Sequence, residues 1–345
     1  MTKSNNNPLV TFVVIAYNQE RFVREAIESA FSQTYDPLEI ILSDDASTDA
    51  TYNIMQDMAA SYGGPHRVLL NQNPSNLGIV PHIDHVMEML SGEFIVVNAG
   101  DDVSVPKRTS TLVKRWLDSG RSLRLLHSAA TRIDLNGVPH DLRRPPSFMQ
   151  GDPGALDIIQ GKGYVIGATA AWDKILFTEF GPLGKDLSVE DTVLPFRAAI
   201  IGGIGFIDLP LIKWRDGGVS QQGSKFDFNN KLYGFKLKSK SWLIDTYLHI
   251  LKSPALARSG HGREIQDACL KLIPNLQFSV DLAGAGFVRR LWMFPRAVYL
   301  SYQGHSLCSI KRWLVYTLDF LYIAIGERLR VFKKNYNGRS KAKHE

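Results

Sequence analysis

The sequence predicts an α/β fold: a mostly parallel β-sheet between helices, followed by a mainly helical, basic region. Three observations predict it. Short β-branched apolar runs alternate with segments of helical periodicity through the first hundred residues, the order that gives parallel strands joined by crossover helices. The 345 residues are 44% hydrophobic and 21% charged, a globular balance in a chain long enough for one large domain or two smaller ones. The charge is also divided. Residues 221–345 hold 21 Lys or Arg against 8 Asp or Glu, a net of +13, whereas residues 1–220 hold 19 against 26, a net of −7. An acidic front and a basic back predict two parts with different partners.

Taken in order, residues 9–16 form an apolar run rich in β-branched side chains, the mark of a buried strand. Residues 21–31 place Phe22, Ala26, Ile27, Ala30 and Phe31 at helical spacing. Residues 38–42 are a second strand. Ser47 or Asp49 then caps a helix carrying Ile54, Met55 and Met58. Residues 68–70 and 79–90 give a third strand and a third helix, and residues 94–97 a fourth strand.

Ligands of such sheets bind at the carboxyl ends of the strands. Four sequence features gather there. Tyr17, after the first strand, has a ring that can stack on a flat base. Asp45, after the second, can accept hydrogen bonds from base or ribose. Asn76 and Gly78, after the third, let backbone approach a phosphate or sugar. Asp101 and Asp102, after the fourth, are adjacent carboxylates whose mutual repulsion a divalent cation with a phosphorylated ligand would offset. Each feature also has an ordinary reading as a turn or helix start; it is their joint position that points to a site. The run Gly202-Gly203-Ile204-Gly205 precedes a strand-like segment rather than a helix and is no dinucleotide fingerprint. His82 and His85 lack the rest of a zinc motif and are expected to be packing or surface residues.

The stretch TFVVIAYNQERFVREAIESAFSQTYDPLEIILSDDASTDAT, followed by NPSNLGIVPHI, FIVVNAGDD and VIGATAAWDKILFTEFGPLGKDLSVEDTVLPFRAAIIGGIGFIDLPLIKWRDGGVS, resembles the inverting family 2 glycosyltransferases of the GT-A fold, of the bacterial surface-polysaccharide or glycolipid type. The resemblance covers residues 8–220, which it implies are a GT-A domain binding a nucleotide-diphosphate sugar linked to UDP, dTDP or GDP. It implies base contacts from Tyr17 and Asp45, ribose and phosphate contacts from Asp101, and a Mg²⁺ or Mn²⁺ ligand in Asp102. The family's fuller acidic motif has a carboxylate where this chain has Ala99, so the cation would be held mainly by Asp102 and diphosphate oxygens. Glu190-Asp191 falls at the catalytic position, with Asp191 as the general base that deprotonates the acceptor hydroxyl; the same pair would also suit the start of a helix over residues 192–201. Arg215 falls in a loop that closes over the diphosphate in relatives, although Asp216 stands where many of them have histidine. Trp172 is either part of the acceptor floor or a packed core aromatic.

Residues 221–334 read as helical, basic and rich in Trp and Tyr, a composition suited either to an anionic membrane surface or to an ordinary helical domain with a solvated basic face. Nucleic acid is not the expected partner, and residues 335–345 read as a disordered tail. Two cysteines suggest a reducing compartment, and the opening residues lack a signal-peptide core and no apolar run nears 20 residues; with the basic region, the resemblance implies a cytoplasmic protein, peripheral on the inner face of the membrane. The implied activity is hexosyl-type transfer to a hydroxyl of a glycan or lipid-linked acceptor in surface-polysaccharide or O-antigen-like synthesis. The alternative is a catalytically inactive nucleotide-sugar-binding or membrane scaffold of the same fold.

Overall fold

The computed structural model describes residues 7–151, 153–159, 165–187, 189–217, 228–285, 287–303 and 309–314. The expected tail at 335–345, most of the basic segment 311–332 and the end of the glycine loop at 218–220 lie outside the described residues. Contacts divide the chain into two units, one of residues 1–227 with 245–268, the other of residues 228–244 with 269–345.

The first unit is built on a nine-stranded sheet. Strands β1 (Val10–Ala16), β2 (Leu38–Asp44), β3 (Arg67–Gln72) and β4 (Phe94–Ala99) lie in the order β3-β2-β1-β4 and are all parallel. They are joined by α1 (Val23–Phe31), α2 (Thr51–Ser61) and α3 (Ile79–Met89). β1 and β2 are buried along their whole length, since helices cover both faces, and this is why they read as largely apolar runs, the buried Glu39 of β2 accepting from Thr11 Oγ1 of β1 at 3.0 Å. Phe12, Val14, Ile27, Ile40, Leu42 and Met55 share one core cluster, each buried side chain contributing about 1.5–3 kcal/mol. Neither Ser47 nor Asp49 occupies the N-cap of α2, which is Ala50; Asp49 instead accepts from the Thr51 amide one turn position in.

Beyond β4 the chain forms β5 (Val103–Ser104), α4 (Arg108–Asp118), β6 (Leu123–Ile133), β7 (Pro139–Arg143), a helical turn α5 (Ala155–Ile159), β8 (Ala171–Asp173), α6 (Ile175–Thr178), α7 (Glu190–Ile201) and β9 (Gly203–Arg215). The sheet continues β4-β8-β6-β9-β5, with β7 on β6. β8 is antiparallel to both β4 and β6, so β6 runs with the first four strands, and β9 is parallel to β6. The far end of β9 therefore returns to the edge where β4 ends, and β5 pairs there with residues 212 and 213.

In the second part of the chain come α8 (Phe228–Leu251), α9 (Pro254–Arg258), α10 (Gly262–Gly284), α11 (Phe287–Trp292) and α12 (Phe294–Gln303). The second unit has its own small core of Phe278, Leu282, Ala297 and Leu300, flanked by Met293, Ile310 and Trp313. Trp292, Tyr299 and Tyr302 are exposed on α11 and α12. Among the described residues no helix is long and apolar enough to cross a membrane.

Candidate functional site

Parallel pairing places Ala16 opposite Asp44, Ile15 opposite Ala99 and Asp44 opposite Gln72, so the loops after β1 to β4 all leave from one edge. Side chains sew these loops together. The Asn18 amide donates to Ser47 Oγ at 2.8 Å, and Asn18 Oδ1 accepts from the Thr48 amide at 2.8 Å. The Asp44 carboxylate accepts from the Ser47 amide at 2.9 Å and from its hydroxyl. Asn18 and Ala46 both adopt positive φ, 52° and 58°, conformations non-glycine residues seldom take, and these bonds hold them there. Tyr17 is half-buried on the first of these loops.

Asp45 is buried and orders the loop after β3. Its Oδ1 accepts from Asn73 Nδ2 at 2.8 Å and the Leu77 amide at 2.9 Å; its Oδ2 accepts from the Gly78 amide at 2.9 Å. Gly78, at φ 80°, makes the turn that brings its amide there. Asn76 is exposed, its Oδ1 also accepting from the Gly78 amide. Behind Asp45, Asn71 donates to Asn73 Oδ1 and to Ser43 Oγ, which pairs with the buried His82 at 2.7 Å. His82 is thus a packing residue held below its ordinary pKa by burial, and His85 meets Glu88 on the surface.

After β4 the chain must pass close to β1. A Cβ on Gly100 would stand 2.7 Å from Ala16 Cβ, so glycine is required for the approach. Asp101 and Asp102 follow and are buried. Asp102 Oδ1 accepts from the Arg215 amide at 2.9 Å, the contact that the β5–β9 pairing delivers. Burial, and then the neighbouring Asp101, push the Asp102 carboxyl well above the ordinary carboxylate range, against the opposing pull of that amide, Arg108 and Arg215. A desolvated pair of hard oxygen donors under this pressure fits a divalent cation. Among the described residues no group of three or more His, Cys, Asp or Glu is placed to hold one.

Arg215 departs from its expected role as a mobile phosphate contact. Its side chain is buried, lying over the Phe22 ring. Nε donates to the Asp101 carbonyl at 2.9 Å, Nη1 to the Asp134 carbonyl at 3.2 Å, and Nη2 to Glu25 Oε2 at 2.8 Å. The guanidinium is spent on holding the Asp101 loop. Asp216 is likewise engaged, accepting from Arg132 Nε at 3.1 Å and from His140 Nε2 at 2.8 Å.

The second acidic pair opens α7. Glu190 and Asp191 occupy its first turn, where carboxylates suit the helix dipole. Pro195 cannot donate to the Asp191 carbonyl, so the helix is loosened at the residue that carries the pair. Both side chains are half-buried. Burial raises Glu190 to about 7, with Asp191 adding to the rise, and burial raises Asp191 to about 6. A carboxylate of this kind is a competent base near neutral pH. Buried Arg197 fixes α7 by donating to the carbonyls of Leu176, Gly181 and Pro182 at 3.0, 2.7 and 2.9 Å.

Trp172 corrects the expectation of an acceptor floor. It lies in β8, 2% exposed, opposite Ile95 of β4 and Leu125 of β6. At this exposure the ring lies within the core on one face of the sheet, so Trp172 is a packing residue. Arg108 and Arg197 are buried site-supporting cations that no sequence pattern singled out, because an arginine destined for burial has no local signature.

Three comparisons accord with this geometry. The family model for Glycosyl transferase family 2 matches residues 11–161. The chain is 36% identical over 134 residues to the Putative glycosyltransferase EpsE of Bacillus subtilis (strain 168), covering 39% of this chain and 47% of that protein. The chain spans less than half the length of the curated relatives it matches. Among solved structures it is similar to S. aureus TarS 1-349 in complex with UDP-GlcNAc, with a TM-score of 0.55 and 18% identity over 90% of this chain and 80% of that one. It is also similar to the mannosyltransferase PcManGT from Pyrobaculum calidifontis in complex with GDP-Man and Mn2+, with a TM-score of 0.51 and 15% identity over 91% of this chain and 88% of that one.

Proposed function

We propose that the chain transfers a sugar from a nucleotide-diphosphate donor to a hydroxyl, with inversion; the match of the family 2 glycosyltransferase model to residues 11–161 and the likeness of the fold to solved structures support this reading. The observation that carries this reading is the presence of two acidic pairs, the buried Asp101-Asp102 just after β4 and the half-buried Glu190-Asp191 in the first turn of α7. Tyr17 stacks on the base and Asp45 accepts from its edge, within a loop whose Asn76 and Gly78 lie beside the donor. Asp101 faces ribose and phosphate. Asp102 holds Mg²⁺ or Mn²⁺, which when bound neutralises charge on the leaving diphosphate. Asp191 takes the proton from the acceptor hydroxyl, with Glu190 beside it. Residues 8–220 form the catalytic domain in this reading.

The acceptor is a glycan or lipid-linked glycan of a surface polysaccharide, met at the inner face of the cell membrane. Residues 221–334 would face that anionic surface. Exposed Trp292, Tyr299 and Tyr302, with Arg289 and Arg296 among them, support this.

The test is a thermal-shift screen of UDP, dTDP and GDP and their sugars with Mg²⁺ or Mn²⁺, since a ligand that binds the native state raises its melting temperature. Asp102→Ala and Asp191→Ala should each abolish transfer from the donor so identified while leaving the fold intact. No response to any nucleotide would favour a scaffold role, and transfer surviving in either variant would remove that residue's assignment.

A further inference from the structure

We infer that Arg108 is a positioning residue that sets the second acidic pair against the first. The inference rests on the roles just proposed for those pairs. Arg108 opens α4, yet its side chain is fully buried. Its guanidinium joins three segments. Nη1 donates to Ser104 Oγ of β5 at 2.8 Å and to Asn98 Oδ1 of β4 at 3.2 Å. Nη2 donates to the Val97 carbonyl at 3.0 Å and, on the other side, to the Ala168 carbonyl at 2.9 Å, with Ala170 at 3.4 Å.

Each end of this clamp leads to one acidic pair. Asn98, on the first side, donates from Nδ2 to the Asp102 carbonyl at 2.9 Å, so the strand end that Arg108 grips is the one that fixes the Asp101-Asp102 turn. On the second side, Ala168 follows Gly167, and a Cβ at Gly167 would stand 2.9 Å from Glu190 Oε1. The backbone that Arg108 holds is therefore packed directly against the acidic start of α7. One side chain spans both contacts, and only a planar fork with several donors can do so.

The experiment uses the full chain, with UDP, GDP and Mn²⁺ as probes and with UDP-GlcNAc and GDP-mannose as donors. Arg108→Lys retains the charge and loses the fork. It should bind nucleoside diphosphate with Mn²⁺ within about threefold of wild type, while the rate of nucleotide release from the donor falls roughly tenfold or more, a loss in kcat without a matching rise in KM. Gly167→Ala leaves Arg108 in place and presses on Glu190; it should repeat the kcat loss with nucleotide binding unchanged, which keeps the test open if the arginine variant fails to fold. Wild-type kcat in Arg108→Lys, or wild-type kcat in Gly167→Ala, would overturn the clamp. If wild type binds none of UDP, dTDP and GDP with Mg²⁺ or Mn²⁺, the function proposed above fails and the inference falls with it. Wild-type binding and turnover with an unaltered Arg108→Lys variant would sink the inference alone.

Discussion

Replacing Glu190 with glutamine should stabilise the protein in a strongly pH-dependent way. Burial, with Asp191 beside it, lifts the Glu190 carboxyl from 4.5 to about 7. The folded state thus holds this proton more tightly than the unfolded chain does. The resulting stability is complete below about pH 4.5 and is lost as pH climbs through about 7. Each pH unit between the two values corresponds to about 1.4 kcal/mol, so ionised Glu190 costs the native state about 3 kcal/mol. Glutamine has the shape of the protonated acid and no proton to lose. Glu190→Gln should match wild type at pH 4.5 and exceed it by about 3 kcal/mol at pH 8, roughly 6–12 °C in melting temperature for a unit of this size. The assay is urea unfolding followed by circular dichroism at both pH values. A variant equal to wild type at pH 8, or less stable, would mean that the carboxylate is well solvated. It would remove the argument that α7 presents a base tuned toward neutrality.

Asp45→Asn turns one acceptor oxygen into a donor facing amides that already donate, and it removes a charge; hydrogen bonds to charged groups are worth about 1.5–3 kcal/mol, so UDP or GDP affinity should fall roughly tenfold to a hundredfold by calorimetry. Arg215→Ala strips donors from the carbonyls of Asp101 and Asp134 and should cost about 2–4 kcal/mol in denaturant unfolding, whereas a side chain held in reserve for phosphate would cost almost nothing. Trp172→Ala should lose about 3–5 kcal/mol of stability by opening a cavity between β4 and β6, with nucleotide affinity of the folded protein unchanged; normal stability with impaired transfer would restore the acceptor role.

The first four strands and the loops that follow them were legible because their signals are local. A buried parallel strand is an apolar run, its end is a polar turn, and the α/β rule places all such ends together. Tyr17, Asp45, Asn76, Gly78, Asp101 and Asp102 could be gathered at one edge on that basis alone. Glu190-Asp191 was visible as an acidic helix start, its pressure toward neutrality was not, since burial belongs to the surroundings and not to the dipeptide.

From residue 103 onward the long-range pairings decide. Nothing local in Ala171–Asp173 says that three residues will slot antiparallel between β4 and β6, yet that insertion reverses the order of the sheet, buries Trp172 and turns β9 back to deliver the Arg215 amide to Asp102. The same holds for charge. Whether an arginine reaches water, a phosphate or five oxygen atoms of the interior depends on which segments surround it, and residues 98, 104 and 168 meet at Arg108 only after the chain has closed. The sequence by itself determined which residues stand at the strand ends, because strand and turn propensities act over a few neighbours. Only the tertiary structure decided which of the charged groups remain available there and which are consumed in holding the site, because desolvation and hydrogen bonding between distant segments exist only in the folded chain.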